Sequence, residues 1–455
     1  MKKLILYISI ISLAVGTVNA QTVMTLEECR QQAISYNKEL KKAGFQQEEA
    51  LANQKAARTA YLPQVGAEAS AFFLADVDDI SIPGGFLPTA ESAEAAQAGN
   101  FSGTSNVWSP GMSLEMGNVS ALLGSVSIIQ PIYAGGKIRN INSQADAAVD
   151  ITVMLVNLKY AEVVELTDQA FWNVAMIDAN IELAEKYIEM LSELEETMID
   201  MYDVGLKPAS EKLRVSVQKN EAELQLMKAK NGLKVSKMYL NQVLGLELDA
   251  DVQIDYPKPL QAEMIDMQNG VSLAFENRNE LKVISKQIEI AELEKRVEEA
   301  DYLPEFGLSL GYQAVHLGNL TESVMLNPMI GAQLTIPIYQ WGQAKHKRKA
   351  ADFKKMQVET ELDNTQDLVN LEVLRAKVEI EEAYEAIAIA QKNIGEAEES
   401  LEETKASFEV GLNTTTDLLN AQADWQNANS QLITAMAKFK TLTTKWERVT
   451  GTLAP

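Results

Sequence analysis

Residues 305–313 read Glu305-Phe306-Gly307-Leu308-Ser309-Leu310-Gly311-Tyr312-Gln313, and the chain comes back as Ile330-Gly331-Ala332-Gln333-Leu334-Thr335-Ile336. Side chains alternate across a strand, so Phe306, Leu308, Leu310 and Tyr312 share one face while Glu305, Gly307, Ser309, Gly311 and Gln313 share the other. On the return, Ile330, Ala332, Leu334 and Ile336 oppose Gly331, Gln333 and Thr335. Far earlier, Val65, Ala67, Ala69, Ala71 and Phe73 oppose Gln64, Gly66, Glu68 and Ser70, and Val126 and Ile128 oppose Ser125 and Ser127. Such strands, greasy on one face and polar on the other, suit a membrane β-barrel whose outside meets lipid and whose inside holds water. Sandwich strands also alternate. Four strands cannot close a barrel alone, and open edges are not tolerated in lipid. Several chains must therefore share one barrel, and the strands themselves permit two, three or four.

The landmarks beside these strands occur twice, in the same order. Ala60-Tyr61-Leu62-Pro63 returns as Asp301-Tyr302-Leu303-Pro304, Gln130-Pro131-Ile132-Tyr133 as Ile336-Pro337-Ile338-Tyr339, and Val204-Gly205-Leu206 as Val410-Gly411-Leu412. The first landmark is offset by 241 residues and the other two by 206, so the first copy carries 35 extra residues between Pro63 and Pro131. That excess, at about 76–118, is rich in Gly, Ser, Pro and Asn and reads as a long loop. The chain thus divides into a first structural repeat at 21–245, with strands at about 63–75 and 120–131, and a second at 270–448, with strands at about 304–316 and 329–338. A linker at 246–269 joins them and a tail at 449–455 follows.

Between the landmarks the sequence is helical in character, Ala- and Leu-rich, charged, and almost without Pro or Gly. Helices are expected at about 25–62, 136–204 and 209–245, and again at about 270–303, 343–410 and 415–448. The long member of each repeat would extend roughly 100 Å at 1.5 Å per residue, and the two short ones can stack end to end beside it. The expected architecture is an antiparallel rod with the linker as a belt. Steps of three and four through Ile141, Ala145, Ala148, Ile151, Leu155 and Leu158, and through Ala383, Ala386, Ala390, Ile394, Ala397 and Leu401, suit supercoiled packing.

Lys2 and Lys3, an apolar run from Leu4 to Val15 and small residues up to Ala20 read as a signal peptide at 1–20. Cys29 is the single cysteine, which excludes an internal disulfide. The net charge of −24 excludes nucleic acid as a partner, because phosphates need a basic surface. His316 and His346 are the only histidines, and neither sits in a cluster with metal-ligand spacing. No catalytic constellation is visible, so the reading is no enzyme, no cofactor and no metal. Tyr61, Tyr133, Tyr302, Tyr339 and Trp341 flank the landmark prolines and would form an aromatic belt at one membrane surface. The basic run Lys345-His346-Lys347-Arg348-Lys349 opens a helix just beyond this belt. It reads as a solvated helix face or as a contact with lipid head groups.

The signal peptide, the duplicated strand-helix pattern, the Tyr-Leu-Pro approaches to the strands and the two Val-Gly-Leu turns together resemble the TolC-like outer-membrane efflux protein family. The resemblance covers nearly the whole chain after the signal. It implies a mainly α fold with membrane β-strands, in which three protomers share a 12-stranded β-barrel and long antiparallel helices form a periplasmic α-barrel. It further implies an outer-membrane location, an extracellular loop at 76–118, a mid-tunnel place for the linker, and a periplasmic adaptor and inner-membrane pump as partners. The function implied is a passive exit duct for small toxic compounds. A type I protein-secretion conduit and a structural periplasmic coiled coil are the alternatives. By the same resemblance the periplasmic tip and adaptor docking fall to Gly205, Leu206, Glu211, Gly411, Leu412, Thr414 and Asp417. The pore constriction would fall to Asp417, Glu211 and Asn420. Asn413 and Asn420 stand where family members carry an arginine and a second aspartate. Thr414 and Asp417 also fit a capping box, and Pro208 suits a first helical residue.

Overall fold

A computed structural model describes residues 22–78, 80–114, 117–318 and 323–453. The signal peptide expected over 1–20 lies outside the described residues. In chain order the elements begin with β1 (Thr22–Met24), α1 (Leu26–Tyr36) and α2 (Lys38–Arg58), then a 3-10 turn at Thr59–Tyr61 and strand β2 (Gln64–Val77). The 35-residue excess holds β3 (Ile80–Ile82), β4 (Gly85–Thr89), α3 (Ala93–Gln97), β5 (Gly103–Ser109) and β6 (Met112–Leu114). Strand β7 (Gly117–Ala134) leads into α4 (Lys137–Asp203) and α5 (Ala209–Leu244). After β8 (Val252–Ile254) the second half repeats the pattern as α6 (Gly270–Asn277), α7 (Asn279–Ala300), β9 (Glu305–Leu317), β10 (Met325–Thr335), α8 (Gln343–Glu409) and α9 (Thr415–Val449).

The duplication reaches to single residues: α4 and α8 each run for 67 residues, and both their ends are 206 positions apart. No Gly or Pro interrupts α4, so nothing stops its backbone ladder before Gly205. Each short N-terminal helix, expected to be continuous, is instead broken once. The breaks fall at Asn37 and Arg278, related by the same 241-residue offset as Tyr61 and Tyr302. Both residues have extended ψ, 124° and 123°, and each donates its N–H back to the preceding helix. At Asn37 the side-chain oxygen then accepts from the N–H groups of Glu39 and Leu40, restarting the helix.

Two compact units emerge. One holds the chain up to Ala52, Asp146–Ala291 and the chain from Lys354 on; the other holds Asn53–Ala145 and Glu292–Phe353. The core of the first gathers Cys29 and Ala33 from α1, Phe171 and Val174 from α4, Leu240 from α5, and Phe439 and Trp446 from α9. The linker joins this core through Val252, Tyr256, Leu260 and Met267. It is further held by a hydrogen bond from the Tyr256 hydroxyl to Asp178 at 2.9 Å. A parallel pairing of β1 with β8 ties the chain's first described residues to it. On α8 the buried residues from Val369 to Ala390 are Val369, Val373, Ala376, Ile380, Ala383, Ile387 and Ala390, alternating steps of four and three. That 3.5-residue period is the seam of a left-handed supercoil. The stripe expected through Ala386 is corrected to Ile387: Ala386 points outward, because a strict heptad advances from Ala383 by four.

The second unit is built on a four-stranded antiparallel sheet in the order β10-β9-β7-β2. The excess, expected to be a loop, is a continuation of the β2–β7 hairpin: β3 pairs with β6 and β4 with β5. Its alternation is masked in the sequence by the interspersed Gly and Pro.

Candidate functional site

The sheet register gathers what each strand only suggested. Residues paired across antiparallel strands lie on the same face, so Val65, Ile128, Leu310 and Ile330 form one continuous row. Val126 and Tyr312 form part of the next. The opposite face carries Glu68, Ser125, Gln313 and Asn327 side by side. Ile129 and Met329 fall on this second face and interrupt its polarity. The apolar row is open to its surroundings, with Ile330 at 85% and Val65 at 72% exposure. Burying such a row is worth about 25 cal/mol per Å², so in this chain alone it is an unmet surface. Among the described residues β2 and β10 are paired on one side only.

At the junctions between sheet and helices, Tyr61, Tyr133, Tyr339 and Trp341 are exposed and Tyr302 is half-buried. Tyr339 and Trp341 meet edge to face at 5.1 Å. Two residues of the adjacent basic run are taken up by helix pairing, since Lys347 reaches Glu298 at 3.3 Å and Arg348 reaches Glu299 at 2.7 Å, both at the end of α7.

The two helical turns are copies of one another. Gly205 and Gly411 have φ of 75° and 79°, a left-handed conformation in which a Cβ is strained. Gly205 N–H donates to Tyr202 and Leu206 N–H to Met201, as Gly411 does to Phe408 and Leu412 to Ser407. These are the paired bonds of a Schellman ending. An apolar residue after such a glycine usually packs back on its helix, yet Leu206 and Leu412 are 72% and 79% exposed. Val204 and Val410 are exposed with them. Neither valine was among the residues expected at the tip, although both belong to the repeated Val-Gly-Leu motif.

Beyond the turns the copies differ. Thr414 caps α9 in a full capping box: Asp417 N–H donates to the Thr414 hydroxyl at 3.2 Å, and Thr414 N–H donates to the Asp417 carboxylate at 2.8 Å. The Thr414 hydroxyl, with its backbone N–H, holds the exposed Asp417 carboxyl below the usual range. Pro208 stands at the cap of α5 with ψ of 157° and no side-chain cap bond, rather than at the first helical position. The reason is its extended ψ, which leaves Ala209 as the first helical residue. Glu211 is half-buried, Asn413 precedes the cap of α9, and Asn420 lies exposed in the second turn of that helix. The two helix pairs are joined where Arg214 donates to the Thr416 hydroxyl and where the Thr415 hydroxyl meets the Met198 sulfur at 3.7 Å. Nothing in the sequence linked those residues.

The profile of the outer membrane efflux protein family matches residues 29–246 and again 270–451. The chain belongs to the outer membrane efflux protein family. No curated protein matches it in sequence. Among solved structures, the efflux protein is similar to the Campylobacter jejuni CmeC outer membrane channel, at 17% identity and a TM-score of 0.72, over 94% of this chain and 86% of that one. It is similar to the outer membrane protein VceC of Vibrio cholerae, at 16% identity and 0.72, over 94% and 96%. It is also similar to the open state of the Neisseria gonorrhoeae MtrE outer membrane channel, at 15% identity and 0.70, over 94% and 89%. The efflux protein is thus an outer-membrane protein with a channel fold. No helix among its described residues is long and apolar enough to cross a membrane.

Proposed function

We propose that three copies of this chain close into one barrel and serve as the passive exit duct of a tripartite efflux system. The duct would pass small toxic compounds from an inner-membrane pump and a periplasmic adaptor to the exterior. The observation that carries the reading is the four-stranded sheet with one exposed apolar face and two half-paired edges. β2 and β10 run antiparallel, so the edge of one copy can continue on the opposite edge of the next with the ordinary ladder. Three copies give twelve strands, an even number within the range of outer-membrane barrels. The apolar rows would face lipid, Glu68 and Gln313 the water inside, and the exposed tyrosines with Trp341 the membrane boundary. Detergent-solubilised protein is expected to be a trimer by native mass; a monodisperse monomer would remove the duct reading.

The two turns are proposed as the place where the tunnel narrows and the adaptor docks. The exposed valines and leucines of the repeated motif offer the apolar contact. Asp417, with Glu211 and Asn420 near it in the chain's two turns, would line the narrowing. Asp417 has two roles that substitution separates. Asp417→Asn keeps an acceptor for Thr414 N–H but removes the charge, so single-channel conductance or cation preference in planar bilayers should change while trimer yield holds. Thr414→Ala keeps the charge and loses the cap, at about 1 kcal/mol of helix stability. Because the folded carboxyl titrates below its unfolded value, the cap's contribution is present above the ordinary carboxylate range. It is lost as pH falls through the folded value. Unchanged conductance in Asp417→Asn with reduced thermal stability would assign Asp417 to capping alone.

A further inference from the structure

Beyond the sheet, the β2–β7 hairpin continues as a two-stranded arm. Its pairing runs from Val77 opposite Gly117 to Thr89 opposite Gly103, whereas the β9–β10 hairpin stops at Val315 opposite Met325. Twelve further residues on the β2 side at about 3.3 Å each make an arm of roughly 40 Å. A lone two-stranded hairpin is marginal in water. This one also turns its large side chains outward: Phe86 and Trp108 meet edge to face at 5.1 Å, yet each stays more than half exposed. Ile80 and Ile82, with Met112 beside them, are open too. Between residues 80 and 114 only Glu91 and Glu94, in the segment at the tip, carry charge, and no Lys or Arg occurs. The ribbon between base and tip is therefore uncharged, with Ser, Thr and Asn set among its large apolar residues. Pro83, Pro88 and Pro110 interrupt its edges, and a proline cannot donate to another strand. Strand addition is hindered where these prolines fall, and contact through the faces is open along the whole ribbon.

We propose that these arms pack against the arms of neighbouring copies of this chain, face to face, and form a cap over the mouth of the shared barrel. This rests on the trimeric duct reading. The occupant follows from continuity: β2 and β7, which carry the arm, are strands of the sheet that joins the copies. Every copy's arm is thus held at the same radius about one axis. Tethering of that kind makes arm–arm contact effectively intramolecular. The uncharged middle removes the like-charge repulsion that would oppose it, and the exposed aromatic pair supplies the contact.

The single native cysteine makes a clean test, because Cys29 is fully buried and burial pushes its thiol up to about 12. Val107→Cys places a reactive, exposed thiol on β5 next to Trp108, where both faces of the ribbon are open. In purified, detergent-solubilised trimers a short bis-maleimide should link Val107→Cys chains into covalent dimers. Adding Phe86→Ser and Trp108→Ser should reduce that linkage about tenfold, as loss of a contact-centre aromatic pair does, while native mass still reports a trimer. Intact trimers without linkage of Val107→Cys would overturn the cap. Linkage only to other molecules on intact cells would likewise overturn it and give the arm's face to an external partner. A monomeric native mass would overturn the duct reading, and the cap with it.

Discussion

Arg30→Met is expected to lower folding stability by about 3–5 kcal/mol, the usual cost of leaving a buried charge without its partner. Asp168 is fully buried, and Arg30 holds it with two hydrogen bonds of 2.8 and 2.5 Å. The Thr444 hydroxyl donates to the same carboxylate at 2.5 Å. One carboxylate thus joins α1, α4 and α9, and removing the guanidinium strands a charge that water cannot reach. Thermal unfolding followed by circular dichroism should show a large drop in midpoint. The double variant Arg30→Met, Asp168→Asn should recover much of it, since the stranded charge is then gone. A single variant that melts with the native protein would show that solvent reaches Asp168 in the assembly. Replacing both partners by well-packed apolar groups is expected to cost far less than removing one, because no charge is then left without its partner.

Gly311→Val is expected to reduce the yield of outer-membrane trimer about tenfold, in line with the ~1–3 kcal/mol cost of overfilling a packed site, felt in every copy. A Cβ on Gly311 would lie 2.3 Å from the Val126 carbonyl oxygen and 3.1 Å from the Ser127 Cα. Backbone cannot swing aside as a side chain can. The contact lies where β7 meets β9, among the described residues the one pairing that joins the strands of the first repeat to those of the second. Gly307→Ala is the control: its Cβ would sit 3.6 Å from the Gln130 carbonyl oxygen, an ordinary contact. Trimer yield of detergent extracts should be near normal for Gly307→Ala and low for Gly311→Val. Equal yields would show that the two halves of the sheet can part without loss of the barrel.

Much of this is legible in the sequence. A helix without Pro, holding at most one Gly and ended by Gly205 or Gly411, is a local matter of backbone freedom, and so its limits could be read to within a residue or two. Alternation of Phe306, Leu308 and Leu310 is equally local, because a strand's period is a property of its own backbone. The repeated landmarks carried the duplication, and with it the family. The turn at Gly411 and the Thr414 cap of α9 are likewise written in four adjacent residues.

What escaped the sequence is what depends on distant partners. Nothing near Asn37 or Arg278 announces a break, because each is set by the way the flanking helices seat in the core. β1 and β8 have three residues each and pair across more than two hundred positions, too short to leave a period. The seam of α8 shifted from Ala386 to Ile387 because a neighbouring helix, not the residue's own polarity, selects which side is buried. Arg30, Asp168 and Thr444 are three ordinary polar residues until folding removes water from among them. The sequence by itself determined the periods, the turns and the duplication, since these follow from bonds between near neighbours. Only the tertiary structure decided register, helix breaks, buried charge and the projecting arm, since each is a choice among partners that the chain must first bring together.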